Sequence, residues 1–257
     1  MPKRKRGKTS RAESSKKSKD RAYCKDAGIA TRRCWGTSNE RMKRYHDEEW
    51  ANTEYHFDKN HFERLFESMT LQIFQCGLTW KCVFNKRDGF REAFQHFHIE
   101  RVAKFDEKTI KCLTSDTSII RNRAKIKATI ENAKLILTMG KQAFSRFLWT
   151  HAPDNLNERH RVDISPSGNH MRTDFKDKNY ANRTRSDGAH PTKSCVELSK
   201  ALKRKGFKFM GPTVTLSFMQ AIGLMNHHTK DCFVFERNEH AFYSSRASKG
   251  TQATYIQ

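Results

Sequence analysis

Apolar residues return at three- and four-residue intervals along most of this chain, and two-residue alternation is scarce. That pattern specifies helices and leaves little material for a sheet. Phe62, Leu65, Phe66, Met69 and Ile73 predict one amphipathic helix over about 60–76, with Gly77 as its stop. Val83, Phe84, Phe90, Phe94 and Phe97 predict another, broken at Asp88-Gly89. Val102 and Phe105 suit a short turn, and Ile110 and Leu113 a segment ending before Ser118. Ile126, Ile130, Ala133 and Leu137 keep helical spacing up to Gly140, and Phe144, Phe147, Leu148 and Trp149 follow closely. The pattern returns at Val196, Leu198, Ala201 and Leu202, and again at Phe218, Ala221, Ile222 and Met225. The expected fold class is all-α.

Organisation follows from where this pattern is missing. Residues 1–33 hold 13 Lys and Arg against 3 Asp and Glu and almost nothing apolar before Asp20, so residues 1–31 are expected to be a disordered basic tail. The runs Pro2-Lys3-Arg4-Lys5-Arg6 and Lys16-Lys17-Ser18-Lys19 fit nuclear import; a solubilising or non-specific nucleic-acid-binding role is compatible with them. Residues 151–192 are rich in Asn, Arg, Asp, Ser and Gly and read as a long loop or insertion. The body is expected to span 32–237, with 238–257 as a C-terminal tail.

Charge narrows the partner. The 257 residues carry 50 Lys and Arg against 28 Asp and Glu, a net +22. The body stays basic without its tail, which favours a polyanion whose counterions can be released on binding. No apolar run reaches the roughly 20 residues of a membrane span, so no membrane association is expected. Seven irregularly spaced Cys do not make a disulfide framework; reduced thiols or a metal site suit them better.

Three constellations carry chemistry. Cys34 and His46 lie near the start of the body, and His228 and Cys232 form an H-x3-C pair near its end. Two thiolates and two imidazoles suit a closed tetrahedral zinc site, although His227 beside His228 leaves the ligand choice open, and buried Cys with surface His is the bland alternative. Trp80 follows Gln75-Cys76-Gly77-Leu78-Thr79, where an aromatic just past a helix end can offer a face to a base or simply pack in the core. Ser118-Ile119-Ile120-Arg121-Asn122-Arg123 separates two helical segments and precedes Lys125, as either a phosphate seat or a basic solvated loop.

Taken together, Arg33-Cys34-Trp35, Tyr45-His46-Asp47-Glu48-Glu49-Trp50, Leu65-Phe66-Glu67, Gln75 to Trp80, Asn85-Lys86-Arg87, Ile119 to Ile126, Phe147-Leu148-Trp149, Leu198 to Phe209 and Ser217 to Leu224 keep an order and spacing that is recognisable. The chain resembles the 3-methyladenine DNA glycosylase I (Tag) family over about residues 32–235, apart from the insertion. The resemblance implies a helix-hairpin-helix DNA glycosylase fold and a monofunctional hydrolase. Such an enzyme cuts the N-glycosidic bond of 3-methyladenine and opens base-excision repair. It implies one structural zinc on Cys34, His46, His228 and Cys232, tying the two ends of the body together. Tyr45 and Trp80 match base-binding aromatics, and Leu78 a residue near the lesion gap. The hairpin match places DNA contacts at Ser118, Arg121, Arg123 and Lys125. The partner implied is double-stranded DNA with an alkylated base, bound by a monomer, in the nucleus if the basic runs act as import signals.

The sequence departs from the family at three points. It has one residue fewer between Cys34 and His46, Ser118 stands where a Gly is common, and Gln72 stands at the position of a Glu that contacts the methylated base. An amide keeps size and an acceptor but loses the charge that would complement a cationic base. Gln72 is therefore the candidate catalytic and base-reading residue. It also motivates two rivals: a Tag-like damage-binding protein of weak or no activity, and a glycosylase of shifted base specificity. A zinc deaminase is set aside because the full H-x-E…P-C-x-x-C pattern is absent, no P-C-x-x-C occurring in the chain.

Overall fold

A computed structural model describes residues 32–35, 37–57, 61–154, 159 and 191–252, with side chains as far as Ser244. Among them the secondary structure is helical. The basic tail with its import-like runs, and nearly all of the 151–192 segment, lie outside the described residues.

The chain enters through α1 (Glu40–Arg44), which runs into a π-helical turn (Tyr45–Glu49), then α2 (Thr53–Phe57) and α3 (His61–Gln75). Helices α4 (Trp80–Asn85) and α5 (Arg87–Ala93), a 3-10 turn (Gln95–Phe97), α6 (Ile99–Val102) and α7 (Glu107–Ser115) follow. Two longer helices, α8 (Arg123–Met139) and α9 (Lys141–Trp149), precede α10 (Lys193–Arg204), α11 (Pro212–Ala221) and α12 (Phe235–Gln252). Helix α3 is the hub: Leu65, Phe66, Met69, Ile73 and Phe74 are buried, and α2, α4, α8 and α11 pack around it. Gly77, at φ +81°, ends α3, because a left-handed residue is needed to turn the chain out.

Several expected boundaries shift. The break after Phe84 falls at Lys86, whose N–H closes α4 on Val83 at 3.0 Å. Asp88 and Gly89 lie inside α5, where an acidic residue in the first turn suits the helix dipole. Gly89 serves close packing: a Cβ there would lie 2.5 Å from the Ser118 carbonyl. The body does not stop at 237, since α12 begins at Phe235 and buries Asn238 and Phe242. The Asn238 amide donates to the Trp50 carbonyl at 3.4 Å, and Phe242 packs on Trp149 at 5.5 Å. Within the segment expected to be a loop, Arg159 is a core residue. It is 1% exposed, donates to the Gly223 and Leu224 carbonyls at 3.0 and 2.8 Å, and pairs with Glu239 of α12.

Candidate functional site

The two ends of the body meet at a buried centre. The Cys34 Sγ lies 3.1 Å from His46 Nε2 and 3.3 Å from His228 Nδ1; Cys232 Sγ lies 3.6 and 3.4 Å from the same two nitrogens. All four ligand atoms sit within 4.8 Å of one another. Both rings are oriented from behind: His46 Nδ1–H donates to Asp47 at 2.8 Å, and His228 Nε2–H to the Trp50 carbonyl at 3.2 Å. Asp47 is in turn held by a bidentate Arg33 at 2.8 and 2.7 Å. The hydrogen bond between the two thiols pushes Cys232 below its ordinary range and Cys34 above it, so one proton is held between them and a bound metal would have to displace it to gain a second thiolate. His227 is not part of this centre; its Nδ1 meets the Gln220 amide at 2.7 Å.

A zinc ion with ordinary Zn–S and Zn–N bonds would hold S and N about 3.5 Å apart in a tetrahedron. The donor set, its spacing and its second layer of hydrogen bonds therefore fit that ion, with no ligand position left for substrate.

The π-helical turn links this centre to an aromatic wall. Its hydrogen bond from Trp50 N–H to the Tyr45 carbonyl, 2.8 Å, reaches back five residues. Tyr45 packs on Trp80 at 5.3 Å, tilted 37°, and on Phe84 at 5.2 Å. These are direct-contact distances, so the rings form one packed wall with no space between them, and both are buried, Tyr45 7% and Trp80 5% exposed. Thr79 caps α4 and fixes Trp80 at its first position. The Trp80 indole N–H is buried with no hydrogen-bond partner among the described residues. Gln72 is buried on α3, eight residues before Trp80, and Leu78 is half-buried in the turn between them.

Behind the wall lies a charge network that the sequence reading left without a role. Arg87 bridges Glu67 at 2.6 Å and Glu49 at 2.7 Å, Arg91 adds a second contact to Glu67, and the Arg87 guanidinium sits 5.7 Å from the Tyr45 ring centre. Both carboxylates are thus committed to arginines. In the sequence Glu49, Glu67 and Arg87 show only as members of the Tyr45 to Trp50, Leu65-Phe66-Glu67 and Asn85-Lys86-Arg87 blocks, and Arg91 belongs to none of them.

The hairpin joins α7 to α8. Ser118 N–H donates to Asp116 at 2.7 Å, and Asn122 caps α8 by accepting from Lys125 N–H at 3.0 Å. The loop is seated on α5 by Gly89 and by Lys86, whose ammonium donates to the Thr117 carbonyl at 2.6 Å. Arg121 and Arg123 are exposed, Arg123 pairing with Glu107. Lys125 departs from expectation. Its side chain is buried, and its ammonium donates to the Phe74 carbonyl at 3.0 Å and to that of Cys76. It caps the end of α3, where free carbonyls accumulate, and is not available to a phosphate. Burial lowers its pKa.

The methyladenine glycosylase family model matches residues 35–235. The chain belongs to this family. It is 36% identical to the DNA-3-methyladenine glycosylase of Haemophilus influenzae over 192 residues, covering 73% of this chain and 89% of the relative. It is 33% identical to DNA-3-methyladenine glycosylase 1 of Escherichia coli over 210 residues, covering 80% and 98%. A crystal structure of 3-methyladenine DNA glycosylase I superposes with a TM-score of 0.62 at 33% identity, over 79% of this chain and 98% of that one. Among the described residues of this family member, no helix is long and apolar enough to cross a membrane.

Proposed function

We infer that this protein is a DNA glycosylase that hydrolyses the N-glycosidic bond of 3-methyladenine in alkylated double-stranded DNA and so initiates base-excision repair. The observation that carries the reading is the Tyr45–Trp80 wall at 5.3 Å, with the Trp80 N–H beside it unpaired among the described residues, in a chain of this family. An adenine alkylated at N3 is cationic in the nucleotide and a good leaving group. Water adds to C1′ and loses a proton to solvent; the C1′–N9 bond breaks, and its electron pair neutralises the departing base. The protein has to extrude and hold that base. A π face attracts a cation, and Gln72, at the position where the family resemblance implies a base-contacting Glu, would read an edge by hydrogen bonding. Incubation with alkylated duplex and chromatography of the released bases tests the reading: 3-methyladenine in the supernatant is expected, and its absence ends it.

A damage-binding protein of weak or no activity is the second reading, with a shifted base specificity as its variant. What favours it is the missing charge at Gln72, together with the commitment of Glu49 and Glu67 to Arg87 and Arg91.

The finer assignments rest on chemistry. One structural zinc on Cys34, His46, His228 and Cys232 is supported by donor set and spacing, and would clamp the chain ends without entering the reaction. The hairpin, Ser118 to Arg123, would be the helix-hairpin-helix phosphate contact, through its backbone N–H groups and the exposed Arg121 and Arg123. Nuclear import through Pro2–Arg6 and Lys16–Lys19 is supported by their composition alone, and a fluorescent fusion lacking residues 1–31 should leave the nucleus. The protein acts as a monomer away from membranes, which light scattering and flotation would check.

A further inference from the structure

Between Leu198 and Lys230 the chain has six Lys and Arg and no Asp or Glu. Most of this charge gathers where α10 ends and the chain turns into α11, at Lys203, Arg204, Lys205 and Lys208, all exposed and none with a carboxylate partner among the described residues. At the tip of the turn stands Phe209. It is 42% exposed, and its φ is +59°. A bulky side chain rarely adopts that conformation, which costs about 1–2 kcal/mol in an L-residue.

The surrounding structure enforces it. On one side the buried Asn132 of α8 grips the Lys208 backbone twice, accepting from its N–H at 2.8 Å and donating to its carbonyl at 3.2 Å. On the other side the Met210 carbonyl accepts from Ser199 at 2.8 Å and Thr215 at 3.2 Å, both buried. The residues flanking Phe209 are thus pinned inward while its own ring is held out among cations. Phe97 has a similar φ, +58°, but is buried in the core, whereas Phe209 is held in this conformation at the surface; strain that a structure over-determines in this way clusters at functional sites.

Helix α8 sets the position of this turn. Lys125 and Asn132 are both buried on it, seven residues and so about 10 Å apart along the axis. Lys125 holds the end of α3 before Trp80, and Asn132 holds the turn that carries Phe209. The turn is therefore carried by the same helix that starts at the hairpin and holds the end of α3.

We propose that the α10–α11 turn is a second DNA contact, in which Phe209 packs on sugar or base surface of the duplex beside the lesion while Lys203, Arg204 and Lys208 neutralise its phosphates. The proposal rests on the DNA glycosylase reading and extends its footprint. Equilibrium binding of the full chain to a fluorescent lesion-free duplex tests it. Phe209→Gly should lose about tenfold in affinity, the scale of one lost aromatic contact to a base, and Phe209→Tyr should retain it. Glycine accepts a positive φ, so the thermal midpoint of Phe209→Gly should hold or rise, which separates a lost contact from a lost fold. Lys203→Gln with Lys208→Gln should reduce the slope of log affinity against log salt by about two. Tyr243→Ala, at the other exposed large aromatic among the described residues, should change nothing. Unchanged affinity in Phe209→Gly overturns the proposal, whether or not the wild type releases 3-methyladenine. Lost affinity in a protein that releases no base keeps the surface and removes the enzyme reading.

Discussion

Tyr45 and His46 are consecutive residues that serve different structures. The Tyr45 ring meets Trp80 at 5.3 Å, while His46 Nε2 lies 3.1 Å from Cys34 Sγ. The π-helical turn that begins with them widens the helix locally, so neighbours in sequence anchor the aromatic wall and the Cys/His centre. A disturbance of the centre therefore reaches the wall through one peptide bond.

The first expected consequence concerns that centre. Cys34→Ser should lower zinc content from about one per chain to near zero, as a four-ligand site requires. The thermal midpoint should fall by about 10 °C, because several kcal/mol of folding free energy leave with the metal. Zinc analysis and calorimetry check both, and unchanged stability in a zinc-free protein would count against a structural role.

Gln72 is the place to probe the chemistry. Restoring a carboxylate with Gln72→Glu should speed 3-methyladenine release about five- to tenfold, since a charged hydrogen bond exceeds a neutral one by about 1 kcal/mol. Trp80→Ala should abolish release by removing half of the wall. Single-turnover release from alkylated duplex measures both.

Gly89 should tolerate no side chain. A Cβ 2.5 Å from the Ser118 carbonyl must push the hairpin off α5, at a cost of about 1–3 kcal/mol typical of overpacking. Gly89→Ala is expected to show this in urea unfolding and to bind duplex DNA more weakly.

Acid sensitivity should trace in part to His56. Burial, reinforced by Arg87 and Arg64, drops its pKa from 6.5 to about 3, and its Nδ1 has no hydrogen-bond partner among the described residues. Between those values the unfolded chain takes up a proton that the folded chain refuses. Stability is thus complete above pH 6.5 and falls as pH drops toward 3, by about 1.4 kcal/mol per pH unit within the window. His56→Gln should flatten the difference between urea midpoints at acid and neutral pH.

Helices whose burial follows a strong apolar period, such as α3 and α8, were legible from sequence, and so were their glycine stops at Gly77 and Gly140. Helix α12 was not, because it is held partly by a polar residue, Asn238, and carries few apolar ones. Gly89 read as a break because glycine's usual signal is conformational; here its use is spatial, and space is set by the distant Ser118. Charge misled in the same way at Lys125, whose type suggests phosphate but whose partners, the Phe74 and Cys76 carbonyls, are fixed only by the fold. The Cys/His set was ambiguous by spacing, and it took the resemblance to choose His228 over His227.

The closure of the chain on itself also imposes an order in time. His46 and Cys232 are 186 residues apart, and at ordinary rates of synthesis about 10–40 s separate their appearance at the ribosome. For that interval Cys34 and His46 form half of a centre, with a thiol open to oxidants and to stray metals. His228 and Cys232, in the segment ahead of α12, must arrive before the first thiol is protected, so the burden of keeping Cys34 reduced falls on the cell during translation rather than on the finished protein.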